Sequence, residues 1–453
     1  MIKRKFAFLF SLTVVISMLL AACGGAGATA TSAPQPTEGG AVTEPTTAPV
    51  AEGECPASAS GQSIEMWSPL TGPDGDEMSA LAARFSEENG NDITVTHVAQ
   101  PDYVLKLETA AAASQLPAMT VARIVNVAQL AERHVLSPFG DEALSILGAD
   151  FGSEFPANTW DPGEYEGERY SVPLDVHPLV MYYNKDMFAA AGIEEPGTTP
   201  MGREEFEGAL ETLASTNADV APIAIGTAFQ GATMFQTLIK QFGGALVSDD
   251  GTTATFNSPE GVEALTYVND LKQQYSPEIS GAGDPEVNVF KQGQAAIVFH
   301  GPWHISDLQQ LPWVGFAPVP QVGDQFAVWA GSHQLALTTD DPAAQAAAAC
   351  WIKWLSENSA EWGKAGQVPV RNSVRESAEL AEVAAPIASI VESANGAILL
   401  PQVPLLEGAL WDAFGPAVDA VLMGEATDIQ ATLDAAAATS QQVLEENAAT
   451  YGE

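Results

Sequence analysis

YSVPLDVHPLVMYYNKDMFAAAGI, residues 170–193, is the stretch from which the fold is read. Tyr170, Val172 and Leu174 alternate with smaller or polar residues, the period of a half-buried strand. Asp175 and His177 follow, each beside a proline-bounded turn. The apolar run LVMYY then resumes the extended direction. Asn184 suits a helix N-cap and Gly192 its stop. A strand that pauses at polar residues and resumes can leave one sheet and enter another, as a crossing between lobes must. Taken alone, the pattern fits one long buried strand with a satisfied histidine better.

Upstream, SIEMW (63–67), DITVTHVA (92–99) and MTVARIV (119–125) read as strands. Amphipathic helices follow each: one through Met78, Leu81 and Phe85, one over 103–114, and VAQLAERHVL. Strand and helix in alternation predict an α/β fold with a parallel sheet covered by helices. Ligands bind such sheets beyond the carboxyl ends of the strands, where Trp67, Gln100, Asp102 and Arg123 stand. Trp67 is open between core packing and a rim position, the latter favoured by the Pro/Gly/Asp loop after it. Arg123 is open between a surface ion pair and ligand contact.

Downstream, helices are predicted over MGREEFEGALETLA, around Phe235–Phe242, and over NSPEGVEALTYVNDLKQQY, which carries an N-cap signal. The buried strand AAIVF ends abruptly at His300-Gly301-Pro302-Trp303-His304, because glycine and proline force a turn. A further strand, QFAVWAGSHQLALTT, is interrupted at Gly331-Ser332, with Trp329 and His333 flanking the break. It is a second candidate crossing, and VPVRNSV, which carries Arg371, is a third. From Ala378 to about Asn395, and from Leu405 onward, the chain reads as helical.

Four segments in this order resemble the family 1 extracellular solute-binding proteins, the sugar-binding components of ATP-driven importers. RYSVPLDVHPLVMYYNKDMFAAAGI resembles the family's segment ending YYNKD.F..AGI. PGTTPMGREEFEGALETLA resembles its P.TWDEF helix, with Met201 in place of the usual Trp. FKQGQAAIVFHGPWHISDL resembles F..G.AAM...GPW, and VGFAPVPQVGDQFAVWAGSHQLALTT with the PVR that follows resembles the return to the first lobe. The resemblance implies a two-lobe, type II periplasmic-binding-protein-like α/β fold with parallel or mixed sheets. Three interdomain crossings would join lobe I (61–175 and 331–367) to lobe II (176–330 and 368–453). By resemblance, Trp303 is the tryptophan that stacks on a sugar ring.

A pyranose has apolar C–H faces and a rim of hydroxyls, so aromatic planes with carboxylates, imidazoles and guanidinium groups suit it. The expected ligand set is Trp67, Asp102, Arg123, Asp175, His177, His300, Trp303, Trp329, Gly331, His333 and Arg371. For each of these side chains structural packing is the competing reading. A neutral mono- or oligosaccharide is favoured. Glycerol phosphate or another anion would need clustered cations, and the loops offer mainly Arg123 and Arg371. A lipid-anchored glycosidase would need two carboxylates set across a bond, and no acid pair sits among the cleft motifs. HExxH, GxSxG and Cys/His zinc spacings are absent, so neither catalysis nor metal nor cofactor is expected.

The N-terminus carries a leader: Lys3, Arg4 and Lys5, an apolar run from Phe6 to Leu20, then Leu20-Ala21-Ala22-Cys23. The last four resemble the lipobox of bacterial lipoproteins. A signal peptide over 1–22 and lipidation of Cys23 are expected, with an extracytoplasmic position anchored to the cell membrane. Residues 23–60, rich in Gly, Ala, Thr, Pro and Glu, cannot bury enough surface to fold and read as a tether spanning roughly 30 Å. The precursor's 17 Lys and Arg against 58 Asp and Glu give a formal charge of −41. Such a chain repels nucleic acid and anionic lipid. The expected partners are a sugar, the permease subunits of an ABC importer and the membrane through the lipid; a monomer is expected. With Cys23 assigned to lipid, Cys55 and Cys350 remain, and their pairing is open because sequence cannot place their Cα atoms.

Overall fold

Residues 170–193 visit three sheets in succession. Ser171–Pro173 is an edge strand of the first, Asp175–Pro178 lies in the second, and Val180–Asn184 lies within the third. The breaks fall at Leu174 and Leu179, both buried, so the chain changes sheet without leaving the core. Asn184 then caps the helix Lys185–Ala191, its side chain accepting from the Met187 backbone N–H at 3.1 Å. Gly192 ends that helix at φ +69°, a conformation without penalty only for glycine. These positions come from a computed structural model that describes residues 54–281 and 283–451. The leader, Cys23 and the tether up to residue 53 lie outside the described residues.

The first sheet runs Thr94–Ala99, Ser63–Ser68, Met119–Arg123, His333–Leu337, Ser171–Pro173. Its first three strands are parallel, as the alternation of strand and helix predicts, and the last two join antiparallel. The third sheet runs Val314–Pro318, Val180–Asn184, Ala295–His300, Ala221–Ala224, with both parallel and antiparallel pairs. Between them a narrow sheet gathers Val368–Pro369, Asp175–Pro178, Val328–Gly331 and Ala397–Ile398. All three candidate crossings therefore meet in one sheet. In the second of them Gly331 pairs with His177 in the linking sheet, and two residues later His333 pairs with Arg123 in the first sheet. Gly331 is held there by space: a Cβ would stand 2.1 Å from His177 Nε2. The third crossing adds one structural surprise. The helix expected over 378–395 is broken into Ala378–Val383, Ala385–Ile390 and a 3₁₀ segment Val391–Gly396, because Pro386 can open a helix but not continue one.

Cys55 and Cys350 are joined by a disulfide, with Cα atoms 5.7 Å apart and 295 positions between them in the chain. It pins the start of the described chain to the buried helix Pro342–Glu357. Closing so long a loop restricts the unfolded chain strongly, and such a bond is typically worth about 2–4 kcal/mol. Reduction is expected to lower the urea midpoint by a corresponding amount. A Cys55→Ser, Cys350→Ser protein with an unchanged midpoint would show that the bond constrains nothing. Among the described residues no helix is long and apolar enough to cross a membrane.

Candidate ligand-binding cleft

A cavity of about 240 Å³ opens beside the linking sheet. Its wall is built from both main sheets and from the helices at their strand ends. Arg123 comes from the end of a first-sheet strand, and Trp303 from the turn after Ala295–His300. His177, Trp329 and Gly331 come from the linking sheet, and His333 from the strand just beyond it. Phe229 and Trp411 come from the helices Phe229–Gln241 and Leu406–Leu422.

The aromatic planes meet at steep angles. Trp303 and Trp329 have centroids 6.5 Å apart at 86°, and Phe229 stands 5.4 Å from the first at 61° and 5.0 Å from the second at 89°. Trp411 continues the wall 6.3 Å from Phe229. Two helix starts are held in unusual backbone to do this: Ala228 has φ 58° and Leu405 φ 61°. Left-handed backbone at a non-glycine residue is costly and persists only where the surroundings impose it. At Ala228 the backbone N–H is tied to Asp419 Oδ1 at 2.6 Å.

Beneath the polar side of the wall Asp175 is wholly buried and accepts four hydrogen bonds. Its Oδ1 faces His177 Nδ1 at 3.1 Å and takes the His333 backbone N–H at 3.0 Å; its Oδ2 faces His333 Nδ1 at 2.7 Å and takes Trp362 Nε1–H at 2.8 Å. Burial pushes this carboxyl up, but the charge of His333 and the hydrogen bonds from both imidazoles outweigh it and hold it well below the usual carboxylate range. His333 is raised: burial lowers it, and the charge and hydrogen bond of Asp175 more than reverse that. Burial and the neighbouring charge of His333 lower His177. The carboxylate therefore favours the charged form of His333, and burial beside it favours the neutral form of His177. Both Nδ1 atoms face Asp175, which leaves each Nε2 as the nitrogen available to a ligand.

Arg123 reaches across to Glu407, with Nη2–Oε2 at 3.0 Å and Nη1–Oε1 at 3.4 Å. The pair joins a first-sheet strand to the helix Leu406–Leu422 along the cavity wall. Its side chains remain 44% and 30% exposed, so its contribution to stability is small.

Of the eleven residues expected at the site, six line the cavity: Arg123, His177, Trp303, Trp329, Gly331 and His333. Five do not. Asp175 lies below the wall and orients the two histidines. His300, 1% exposed, packs behind Trp303 and Phe229, 5.5 and 5.1 Å from their rings. Trp67 turns to the opposite face of its strand from Met66, donates to Glu65 and packs beside Tyr103 and Leu107. Asp102 is an exposed residue before the helix Tyr103–Ala112. Arg371 covers the Phe151 ring and bonds Ser373. The segment after Trp67 does reach the cavity, through Asp74 in the first turn of the helix Pro73–Glu88 rather than through the tryptophan. Phe229, Trp411, Glu407 and Gln236 also line it, and no local pattern marks them. Each sits in an amphipathic helix where its apolar or polar period fits core or surface equally well.

Two lobes of α/β type, linked by a three-crossing sheet beside a mixed aromatic and polar cavity, define a protein that holds a solute in a cleft. The sequence profile described as bacterial extracellular solute-binding protein matches residues 80–387, and the chain belongs to that family. It is 24% identical over 248 residues to the maltodextrin-binding protein MdxE of Bacillus subtilis, covering 49% of this chain and 57% of that protein, a little over half its length. It is also 24% identical over 339 residues to the sn-glycerol-3-phosphate-binding periplasmic protein UgpB of Salmonella typhimurium, covering 69% of this chain and 75% of that one. Among solved structures, the cyclic alpha-maltosyl-1,6-maltose binding protein of Arthrobacter globiformis superposes with a TM-score of 0.70 at 26% identity, over 85% of this chain and 99% of that one.

Proposed function

We propose that the cleft takes a neutral mono- or oligosaccharide and that the loaded protein delivers it, unaltered, to the permease of an ABC importer. The observation that carries this reading is the wall itself. Trp303, Trp329 and Phe229 offer planes at steep angles for the C–H faces of a sugar, with Trp411 extending the wall, while His177, His333, Ser332 and Gln236 offer a polar rim for hydroxyls. The names of the maltodextrin- and maltosyl-maltose-binding relatives point the same way. The glycerol-phosphate relative raises the competing ligand. Against it stands the neutralised cation: the one guanidinium of the wall among the described residues is occupied by Glu407, and Asp74 adds a further carboxylate.

The lobes are proposed to divide at the linking sheet, 61–175 with 331–367 against 176–330 with 368–453, with hinge motion in the three crossings closing them on the ligand. The ligand is tested by titrating the purified protein with maltose, maltotriose, glucose and glycerol 3-phosphate. A sugar is expected to raise the melting temperature in a concentration-dependent way and to be recovered intact. A response to glycerol 3-phosphate alone would replace the sugar reading, and turnover of the sugar would move the protein to the enzymes.

The protein is proposed to act as a monomer, extracytoplasmic and held to the membrane by lipid on Cys23. The motif Leu20-Ala21-Ala22-Cys23 supports this. Cys23→Ser is expected to leave soluble protein or unprocessed precursor. A Cys23→Ser protein still membrane-bound after leader cleavage would remove the anchor.

A further inference from the structure

Two clusters of histidine and carboxylate are placed closely enough to hold a metal ion: Asp175, His177, His333 and Asp284, His300, His304. The first is closed. Both oxygens of Asp175 and both Nδ1 atoms are committed to one another and to Trp362. The second is not. Asp284 stands at the N-cap of the helix Pro285–Lys291, yet its side chain makes no capping bond. Its Oδ2 is hydrogen-bonded to His304 Nε2 at 3.1 Å, while its Oδ1 lies 3.4 Å from His300 Nε2. Glu286, 2% exposed, places Oε1 3.4 Å from that same His300 nitrogen. A single nitrogen thus faces two carboxylate oxygens and makes a hydrogen bond to neither. Among the described residues His300 Nδ1, His300 Nε2 and Glu286 Oε2 have no hydrogen-bond partner, although both side chains are almost wholly buried. Buried polar groups are normally hydrogen-bonded, and carboxylates this buried are costly unless a cation, here a protonated His300 or a bound metal ion, balances them. Lys291, in the same helix, is engaged by Asp307.

We propose that Asp284, His300 and His304 form a divalent-cation site of the zinc type, with Glu286 beside His300 as the second negative charge that balances the ion. Two imidazoles and a carboxylate are an established donor set for such an ion. Ligand atoms about 2.0–2.1 Å from a tetrahedral centre stand roughly 3.3–3.4 Å from each other. The two nitrogens stand 3.1 and 3.4 Å from different oxygens of Asp284, and one ligand atom from each of the three side chains lies within 4.8 Å of the others, so a modest contraction would bring them to that spacing. His300 and His304 have the H-x3-H spacing of a zinc half-site, but no cysteine or histidine pair accompanies them and the third group, Asp284, lies sixteen residues upstream, so no metal was expected from the sequence.

The site has a mechanical consequence. His300 and His304 bracket the Gly301-Pro302 turn that presents Trp303, and the His300 ring stands edge-on to the indole at 5.5 Å and 87°. An ion held there ties the end of a strand, the turn and a helix start into one unit. A stiffer presenting turn lowers the ordering cost of ligand binding, so metal occupancy is expected to tighten sugar binding several-fold. This second step rests on the reading of Trp303 as a wall of the sugar site; the metal site does not.

The experiment uses untagged protein freed of metal by chelation, titrated with Zn²⁺ alone by calorimetry and by thermal shift. One ion per protein is expected, with a higher melting temperature. Asp284→Asn and His304→Gln are each expected to weaken Zn²⁺ at least about a hundredfold, beyond the range of outer-sphere changes, whereas His134→Gln at an exposed position leaves it unchanged. Circular dichroism confirms that each variant is folded; Asp284 is 40% exposed, so Asp284→Asn tests the site even where His304→Gln fails to fold. No stoichiometric binding, or full affinity in Asp284→Asn, overturns the site. Sugar affinity measured with Zn²⁺ and with chelator then tests the coupling: equal affinities at full metal occupancy overturn the coupling alone.

Discussion

Asp175→Asn is expected to destabilise the protein by about 3–5 kcal/mol, the range for removing one partner of a buried, hydrogen-bonded ion pair. The side chain is fully buried and receives two N–H donors on each oxygen side. An amide presents a donor of its own to one of those sides and carries no charge to balance His333. The pH dependence carries a signature. Asp175, held below its ordinary value, contributes stability that is present above about pH 3.9 and is lost as pH falls through its lower folded value. His333, raised, contributes stability that is present below about pH 6.5 and is lost as pH rises through its higher folded value. His177, lowered, behaves oppositely, contributing above about pH 6.5 and losing that as pH falls through its folded value. The gap in urea stability between wild type and Asp175→Asn is therefore expected to narrow as pH rises above about 6.5, because the pair with His333 is then lost in wild type as well. Asp175 as a direct ligand group gives the reverse result: little loss of stability and a collapse of affinity in the folded protein.

Trp303→Ala is expected to weaken sugar binding about ten- to a hundredfold, since one stacked aromatic face is worth on the order of 1–3 kcal/mol. The structure sharpens what else is expected. Trp303 is half-buried on a 3₁₀ turn whose carbonyl at Gly301 accepts from Tyr182 Oη at 2.7 Å, so the turn has support that does not depend on the indole. The ligand-free variant is then expected to lose less than the roughly 3–5 kcal/mol typical of a core tryptophan. Melting temperature without ligand and sugar affinity, measured side by side, separate the two roles. A large stability loss with wild-type affinity in the folded fraction would make Trp303 a packing residue and remove the strongest ground for a sugar.

The two variants divide along the line between local and long-range information. Features whose physics is contained in a few neighbouring residues were readable in the chain. The helix start at Asn184 and its stop at Gly192 follow from capping chemistry and from backbone that glycine alone adopts freely. The turn at Gly301-Pro302 follows from a fixed proline φ, and it puts Trp303 at the end of a strand whatever the strand packs against. The interruption at Gly331-Ser332 was legible in the strand pattern, whereas the change of sheet next to Asp175 became an expectation only once motif order joined the segments into a fold.

Which of several suitable side chains meet depended on long-range packing. Asp175 looked like a ligand group because a carboxylate at a lobe crossing suits the hydroxyl rim of a sugar. Its donors come from positions 177, 333 and 362, and satisfying them turns it away from the cavity. Trp67 and Trp411 are equally aromatic, yet the facing of a strand sends the first beneath a helix and the packing of Leu406–Leu422 brings the second to the cleft. The Cys55–Cys350 bond and the approach of Asp284 to His300 and His304 depend in the same way on how distant elements lie on one another. Backbone preference is set within a few residues, but a contact exists only when two surfaces pack, and that free energy belongs to the assembled fold.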